Sequence, residues 1–188
     1  MTMSSDRSLV QIAFYAALIA ALGLVPKIEL GLAGGIPITA QSLGVMLAGM
    51  MLGPVRGGLA VALLLFLVAL GLPFLAGGRG GIGVFYGMTA GYLAGYFFGA
   101  VAVGAIMRAM RNMNVVFGAI VSGVLGGIVV VHAFGVPVLA YKADMTLYNA
   151  FLVGSLPFIP GDLIKVALAT LVAHTIARGL PSAMLSRS

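Results

Sequence analysis

A chain of 188 residues that is 62% hydrophobic and 7% charged lies far outside the soluble range, in which roughly a quarter of residues are charged. Its mean hydropathy of +1.19 is that of an integral membrane protein, and at about 20 apolar residues per span there is room for about five to seven helices and no separate soluble domain. The net charge of +6 comes from basic residues scattered singly between apolar segments, without the clustered stripe that a phosphate backbone needs, so nucleic acid is excluded as a partner. The absence of cysteine excludes disulfides, thiolate metal sites and cysteine nucleophiles.

The first apolar segment, residues 8–25, reads as a transmembrane helix rather than a signal peptide. It lacks a convincing small-x-small cleavage site, and Pro26 and Lys27 follow directly. Ala13, Ala17 and Ala21 recur every fourth residue with Ala16 and Ala20 alongside. This smooth ridge suits close packing against the protein's own bundle or against another subunit. Residues 26–39 hold Lys27, Glu29, Gly31, Gly34, Gly35 and Pro37 and are too polar and turn-rich to cross a membrane. A second segment, 40–52, is short for a span and begins beside Thr39, Gln41 and Ser42, which either cap a helix or face a cavity. Gly53 and Pro54 turn the chain into a third segment, 57–71. Between Gly71 and Gly83 lies a glycine-dense loop centred on Arg79. It lacks the Lys-Ser/Thr ending of a phosphate loop, so the chain carries no ATPase motif.

The fourth segment, 83–108, holds Gly83, Gly87, Gly91, Gly95 and Gly99 at intervals of four, the seam of a tilted helix crossing. Phe85, Tyr86, Tyr92 and Tyr96 lie between these glycines and either line a cavity or meet lipid. Arg108 and Arg111 close the segment. The fifth, 115–136, carries a small-residue face of Gly118, Ser122 and Gly126. A connection with Lys142, Asp144, Tyr148 and Asn149 then leads through Pro157 and Pro160 into the sixth, 160–178. Gly71-Leu72-Pro73 is echoed by Gly135-Val136-Pro137, but not in matching halves, so no internal repeat is assigned.

Six helices place both termini on one side. That side holds Arg7, Arg56, Arg108, Arg111, Arg178 and Arg187 against Asp6, a net of +5; the other holds Lys27, Arg79 and Lys142 against Glu29 and Asp144, a net of +1. By the positive-inside rule both termini are cytoplasmic. The expected fold is therefore an all-α integral membrane protein: one transmembrane domain over residues 1–188, with six transmembrane helices and cytoplasmic N and C termini.

Asp162 and Lys165 stand at the start of the sixth helix. Three residues apart, they share a face, and Pro160 and Gly161 mark the helix start, where an acid is favoured by the dipole. Ionisable residues inside a membrane mark a functional site or an internal ion pair. The topology puts this pair at the outer mouth, beneath the loops of Lys27, Arg79 and Lys142. His132 and His174 fall at opposite ends, share no metal, and are expected to be ordinary satisfied or interfacial residues. An intramembrane enzyme would have only Asp162 with a neighbouring Thr, Tyr or Lys to work with. A glycine-zipper oligomer or pore would leave the charge pair without a purpose.

Several stretches together resemble the BioY family, the biotin-specific S components of energy-coupling-factor (ECF) transporters. They are Pro37-Ile38-Thr39-Ala40-Gln41, Leu47-Ala48-Gly49 with Leu52-Gly53, Gly71-Leu72-Pro73 leading into the Arg79 loop, Gly87-Met88-Thr89-Ala90-Gly91-Tyr92-Leu93, and Pro160-Gly161-Asp162-Leu163-Ile164-Lys165. The chain departs from the family's usual Gly-Pro-Thr-Gly-Gly-Tyr at Met88 and Ala90. The resemblance implies a substrate-binding membrane subunit, not an enzyme, that needs no cofactor. It would capture biotin outside a bacterial or archaeal cytoplasmic membrane and work with a transmembrane coupling protein and paired ATP-binding-cassette ATPases. It places the coupling-subunit contact on Ala13, Ala17 and Ala21. In such a site Asp162 can accept the N–H groups of a ureido ring and Lys165 can donate to its carbonyl. Arg79 suits the valerate carboxylate, and Thr39, Gln41, Gly87 and Tyr92 are expected to complete the site. An S component for another small vitamin is the alternative.

Overall fold

The computed structural model describes residues 2–25, 28–29 and 37–187. Helix α1 (Thr2–Gly23) leads to a minimal antiparallel pair, β1 (Ile28–Glu29) with β2 (Pro37–Ile38), in which Ile28 faces Ile38. Lys27, Gly31, Gly34 and Gly35 of the expected loop lie outside the described residues. Then follow α2 (Gln41–Ala69), a short 3-10 turn (Ile82–Phe85), α3 (Ala90–Ala109), α4 (Val115–Lys142), α5 (Leu147–Gly154) and α6 (Ile159–Gly179). Helices α2, α3, α4 and α6 are long and apolar enough to cross a membrane, and the apolar part of α1 runs over Arg7–Gly23.

The second and third expected helices are the two arms of α2. Gly53 at their junction has φ +81° and ψ −176°, a conformation that favours glycine, and Pro54 then starts the second arm. A Cβ on Gly57 would come within 2.9 Å of the Ala48 carbonyl. Residues nine apart on an unbroken helix stand about 13 Å apart, so the chain doubles back at Gly53. With α1, α3, α4 and α6, the two arms make six helical segments.

The core is built around this reversal. Met46, Met50 and Met51 from the first arm and Ala60, Val61 and Leu64 from the second are buried with Ala100, Val103 and Met107 of α3. Close approach depends on small residues. A Cβ on Gly95 would meet the Val131 carbonyl of α4 at 2.7 Å, one on Gly99 would meet Val131 at 2.8 Å, and one on Gly126 would meet the Val103 amide at 2.5 Å. The glycine seam is thus an α3–α4 contact, as a small-residue face allows. It begins at Gly91, because α3 starts at Ala90; Gly83 and Gly87 lie before the helix and crowd nothing.

Two more boundaries differ from expectation. Helix α4 runs on through Pro137 to Lys142, since membrane helices tolerate a proline when neighbours and local adjustment satisfy the freed carbonyl. Its middle, Gly123–Val130, is π-helical, a wide-turned form frequent near functional sites. Helix α5 lies within the expected connection, its eight residues being too few to span a membrane. Thr146 caps it, its hydroxyl accepting from the Asn149 amide at 3.2 Å, and Ala150 packs on Leu139 and Ala140.

The end of the chain returns to the reversal. Ser186 is buried, donates to the Met50 carbonyl and packs on Gly53, while Arg187 donates to the carbonyls of Arg111 and Met113 between α3 and α4.

Candidate substrate-binding site

At the opposite end of the bundle from that tail, the starts of α2, α3 and α6 and the second half of α4 enclose a cavity. Its lining includes Thr39, Gln41, Ser42, Leu75, Arg79, Thr89, Tyr92, Tyr96, Val131, His132, Phe158, Asp162 and Lys165. Of the residues expected at the site, all line it except Gly87, which stands in the turn before α3.

Asp162 lies in the first turn of α6, which Pro160 opens. Its carboxylate is buried with only 8% of the side chain exposed, and both oxygens are engaged. Oδ1 accepts from Lys165 Nζ at 2.8 Å and Oδ2 is 3.0 Å from His132 Nε2. With a carboxylate as acceptor, that ring nitrogen carries the proton. Lys165 Nζ also donates to Ser42 Oγ at 2.9 Å, which ties α6 to the start of α2. Burying charges is tolerable only with such pairing and hydrogen bonding. The pairing is incomplete in a useful way. An ammonium has three donors and a carboxylate about four acceptor sites; two donors and two acceptor sites are used, so one N–H and two lone-pair positions remain.

Ser42 was a candidate for facing a cavity, but sequence reasoning missed the partnerships of Ser42 with Lys165 and of His132 with Asp162. Both residues come from other helices, and neither spacing nor composition links them to Asp162. The lone histidine in an apolar segment was the available signal. It sits just after the π-helical turns of α4, packed edge-on against the Tyr92 ring with centroids 5.8 Å apart. Tyr92 is held in turn by donating its hydroxyl to the Gly154 carbonyl at 2.5 Å, so α5 helps to set the wall. Tyr96 and Thr39 both line the cavity. Tyr86 faces outward, 70% exposed, and does not join the cavity.

Arg79 sits on the opposite wall in the loop between α2 and α3. Gly71, Gly77, Gly78 and Gly81 all have positive φ there, and Leu75 and Arg79 form a bridge with amide-to-carbonyl distances of 3.0 and 3.2 Å. The guanidinium donates to the Ala76 carbonyl at 3.2 Å and to Thr89 Oγ1 at 3.4 Å. Among the described residues no carboxylate pairs with it, so its remaining donors are free for an anion.

Gln41 has a different task. It is 2% exposed, and its amide donates to the carbonyls of Phe74 (2.7 Å) and Ile19 (3.3 Å) and accepts from the Ala76 amide at 3.1 Å. It fastens the Arg79 loop to α1 and α2. Gln41→Leu should cost about 2–3 kcal/mol in lost hydrogen bonds and stranded backbone groups, seen as a fall in melting temperature of roughly 4–12 °C by circular dichroism in detergent. The ridge residues Ala13, Ala17 and Ala21 are exposed on the outside of α1, whereas Ala16 and Ile19 turn into the bundle.

Comparison with known proteins agrees with this architecture. The profile of the BioY family matches residues 1–182. The chain is 48% identical over 191 aligned residues to the biotin transporter BioY of Rhodobacter capsulatus, covering 97% of this chain and 99% of that one. It is 47% identical over 184 residues to the biotin transporter BioY of Rhizobium etli, covering 94% and 96%. Among solved structures, the S-component for biotin from an ECF-type ABC transporter superposes with a TM-score of 0.87 at 32% identity over 95% of both chains. With that coverage and a shared multi-pass helical fold, the chain belongs to the BioY family of membrane transport proteins.

Proposed function

We propose that this protein is the substrate-binding subunit of a biotin uptake system, working with a transmembrane coupling protein and ATP-binding-cassette ATPases. The observation that carries the reading is the pairing, across one cavity, of the half-satisfied Asp162–Lys165 network with the uncompensated Arg79. A ureido ring presents two N–H donors and a carbonyl acceptor. The two lone-pair positions left on Asp162 take the donors and the third proton of Lys165 takes the carbonyl. Leu75, Val131 and Phe158 offer apolar contact to the ring sulfur and the alkyl chain, and Arg79 takes the carboxylate. His132 and Ser42 hold Asp162 and Lys165 in place.

Arg56, Arg108, Arg111, Arg178 and Arg187 gather at the end away from the cavity. The positive-inside rule makes that end cytoplasmic, so the cavity faces outward. The exposed ridge of Ala13, Ala17 and Ala21 presents a smooth surface to the coupling protein. The names of the relatives and of the solved S-component support biotin as the ligand over another vitamin.

The test is equilibrium binding of labelled biotin to the purified protein in detergent, with other vitamins as competitors. Arg79→Gln should weaken biotin by about 10- to 100-fold, the range for a charge-assisted hydrogen bond, and leave affinity for uncharged biotinamide nearly unchanged. Equal loss for acid and amide would remove Arg79 from the carboxylate site. Displacement of the label by another vitamin at lower concentration than by biotin would overturn the ligand.

A further inference from the structure

On the outer flank of the bundle, between α4 and α6, runs a groove of about 440 Å³ that shares no lining residue with the substrate cavity. Val116, Ile120 and Val124 form one wall, and Leu163, Thr170 and His174 lie along the other. Leu163 is 49% exposed and Ile120 is 44% exposed, so the groove opens to lipid. One polar group is set into it. Thr170 is only 7% exposed and its hydroxyl has no hydrogen-bond partner. The contrast within α6 is direct: Thr175 donates to the Leu171 carbonyl one turn back at 2.9 Å, whereas Thr170 makes no such bond. A buried hydroxyl without a partner is costly; its oxygen is turned away from the open groove, and the second χ1 rotamer open to a helical threonine would bring it to an external acceptor.

The groove also has a charged end. Helices α4 and α6 run in opposite directions along it, so Val116 and His174 lie where Arg111 precedes α4 and Arg178 ends α6. Both arginines are exposed, and among the described residues neither is paired with a carboxylate. Arg178 lies about 12 Å beyond Thr170 along the axis, and helical side chains lean back toward the N-terminus.

The geometry points to a binding site for one anionic phospholipid. A single acyl chain lies along Leu163, Ile120 and Val124, a glycerol ester carbonyl accepts from the Thr170 hydroxyl, and the phosphate is held between Arg111 and Arg178. Charge separates this occupant from a second copy of the chain. A parallel copy in the same membrane would bring its own Arg108, Arg111 and Arg178 against these, like charge on like.

Native mass spectrometry of delipidated protein titrated with dioleoyl phosphatidylglycerol or dioleoyl phosphatidylcholine tests the proposal. One phosphatidylglycerol should bind per chain, at least about tenfold tighter than phosphatidylcholine. Arg178→Gln should weaken it about fivefold, as for one basic residue at an anionic headgroup. Ala167→Phe, at an exposed position in the groove, should abolish the single-lipid species while circular dichroism shows unchanged helicity. Equal binding of the two lipids, or phosphatidylglycerol binding that survives Ala167→Phe, overturns the proposal. A dimer that Ala167→Phe dissolves overturns it too and assigns the groove to a second copy.

Discussion

Asp162→Asn should weaken biotin binding by about 100-fold and destabilise the protein at the same time. The affinity loss follows from replacing a charged acceptor of two ligand N–H groups by a neutral amide. The stability loss has a separate origin. Lys165, 13% exposed, would keep its charge beside Ser42 without its counter-ion, and breaking a buried pair from one side costs about 3–5 kcal/mol. The two effects can be parted. In Asp162→Asn with Lys165→Met no buried cation remains, and replacing a buried ion pair by apolar groups is often neutral or stabilising. The double variant should therefore recover most of the melting temperature while biotin binding, followed by titration calorimetry, stays lost. If stability and binding returned together, Asp162 and Lys165 would be only a structural pair.

The second large effect belongs to Gly104, where α3 crosses the reversal of α2. A Cβ on this residue would overlap the Gly53 carbonyl carbon and the Pro54 nitrogen, which are backbone atoms that cannot swing aside. Gly104→Val should cost about 3 kcal/mol, the upper range for overpacking, and lower the melting temperature by roughly 6–12 °C in detergent. Gly83→Ala is the matching control: nothing lies within 4 Å of its Cβ position, so the melt should not move. A similar loss at both positions would mean that replacing glycine as such, and not the close crossing at Gly104, sets the cost.

The parts of this protein that local spacing encodes were legible before any coordinates. The i, i+3 placement of Asp162 and Lys165 put them on one face, and the lone cation of a glycine-dense loop singled out Arg79. The ridge on α1 followed from a four-residue repeat, which left open whether it faced the bundle or another subunit. What stayed hidden depended on contacts between distant segments. His132 reaches Asp162 across 30 residues and Ser42 reaches Lys165 across 123, and no periodicity within a helix reports such a meeting. Gln41 lines the cavity, but the bonds of its amide to Ile19, Phe74 and Ala76 are equally long-range, and a polar group at a helix start looks alike whether it faces a cavity, a neighbouring loop or both. Gly83 and Gly87 continued the four-residue rhythm past the point where α3 begins, since spacing carries no information on where a helix starts. Pro137 was read as a stop, a rule that holds where water competes for the freed carbonyl but weakens inside a bundle.

The contact of Ser186 with Met50 joins positions 136 residues apart. A ribosome makes the chain from the N-terminus, so both arms of α2 are in the membrane long before their fastening exists. Every nascent chain shorter than about 186 residues must hold the Gly53 turn without it, and translation must pass that point before this end of the bundle is complete. Reporters fused close behind Arg187 therefore load a segment that belongs to the packed interior, and a flexible spacer should spare it.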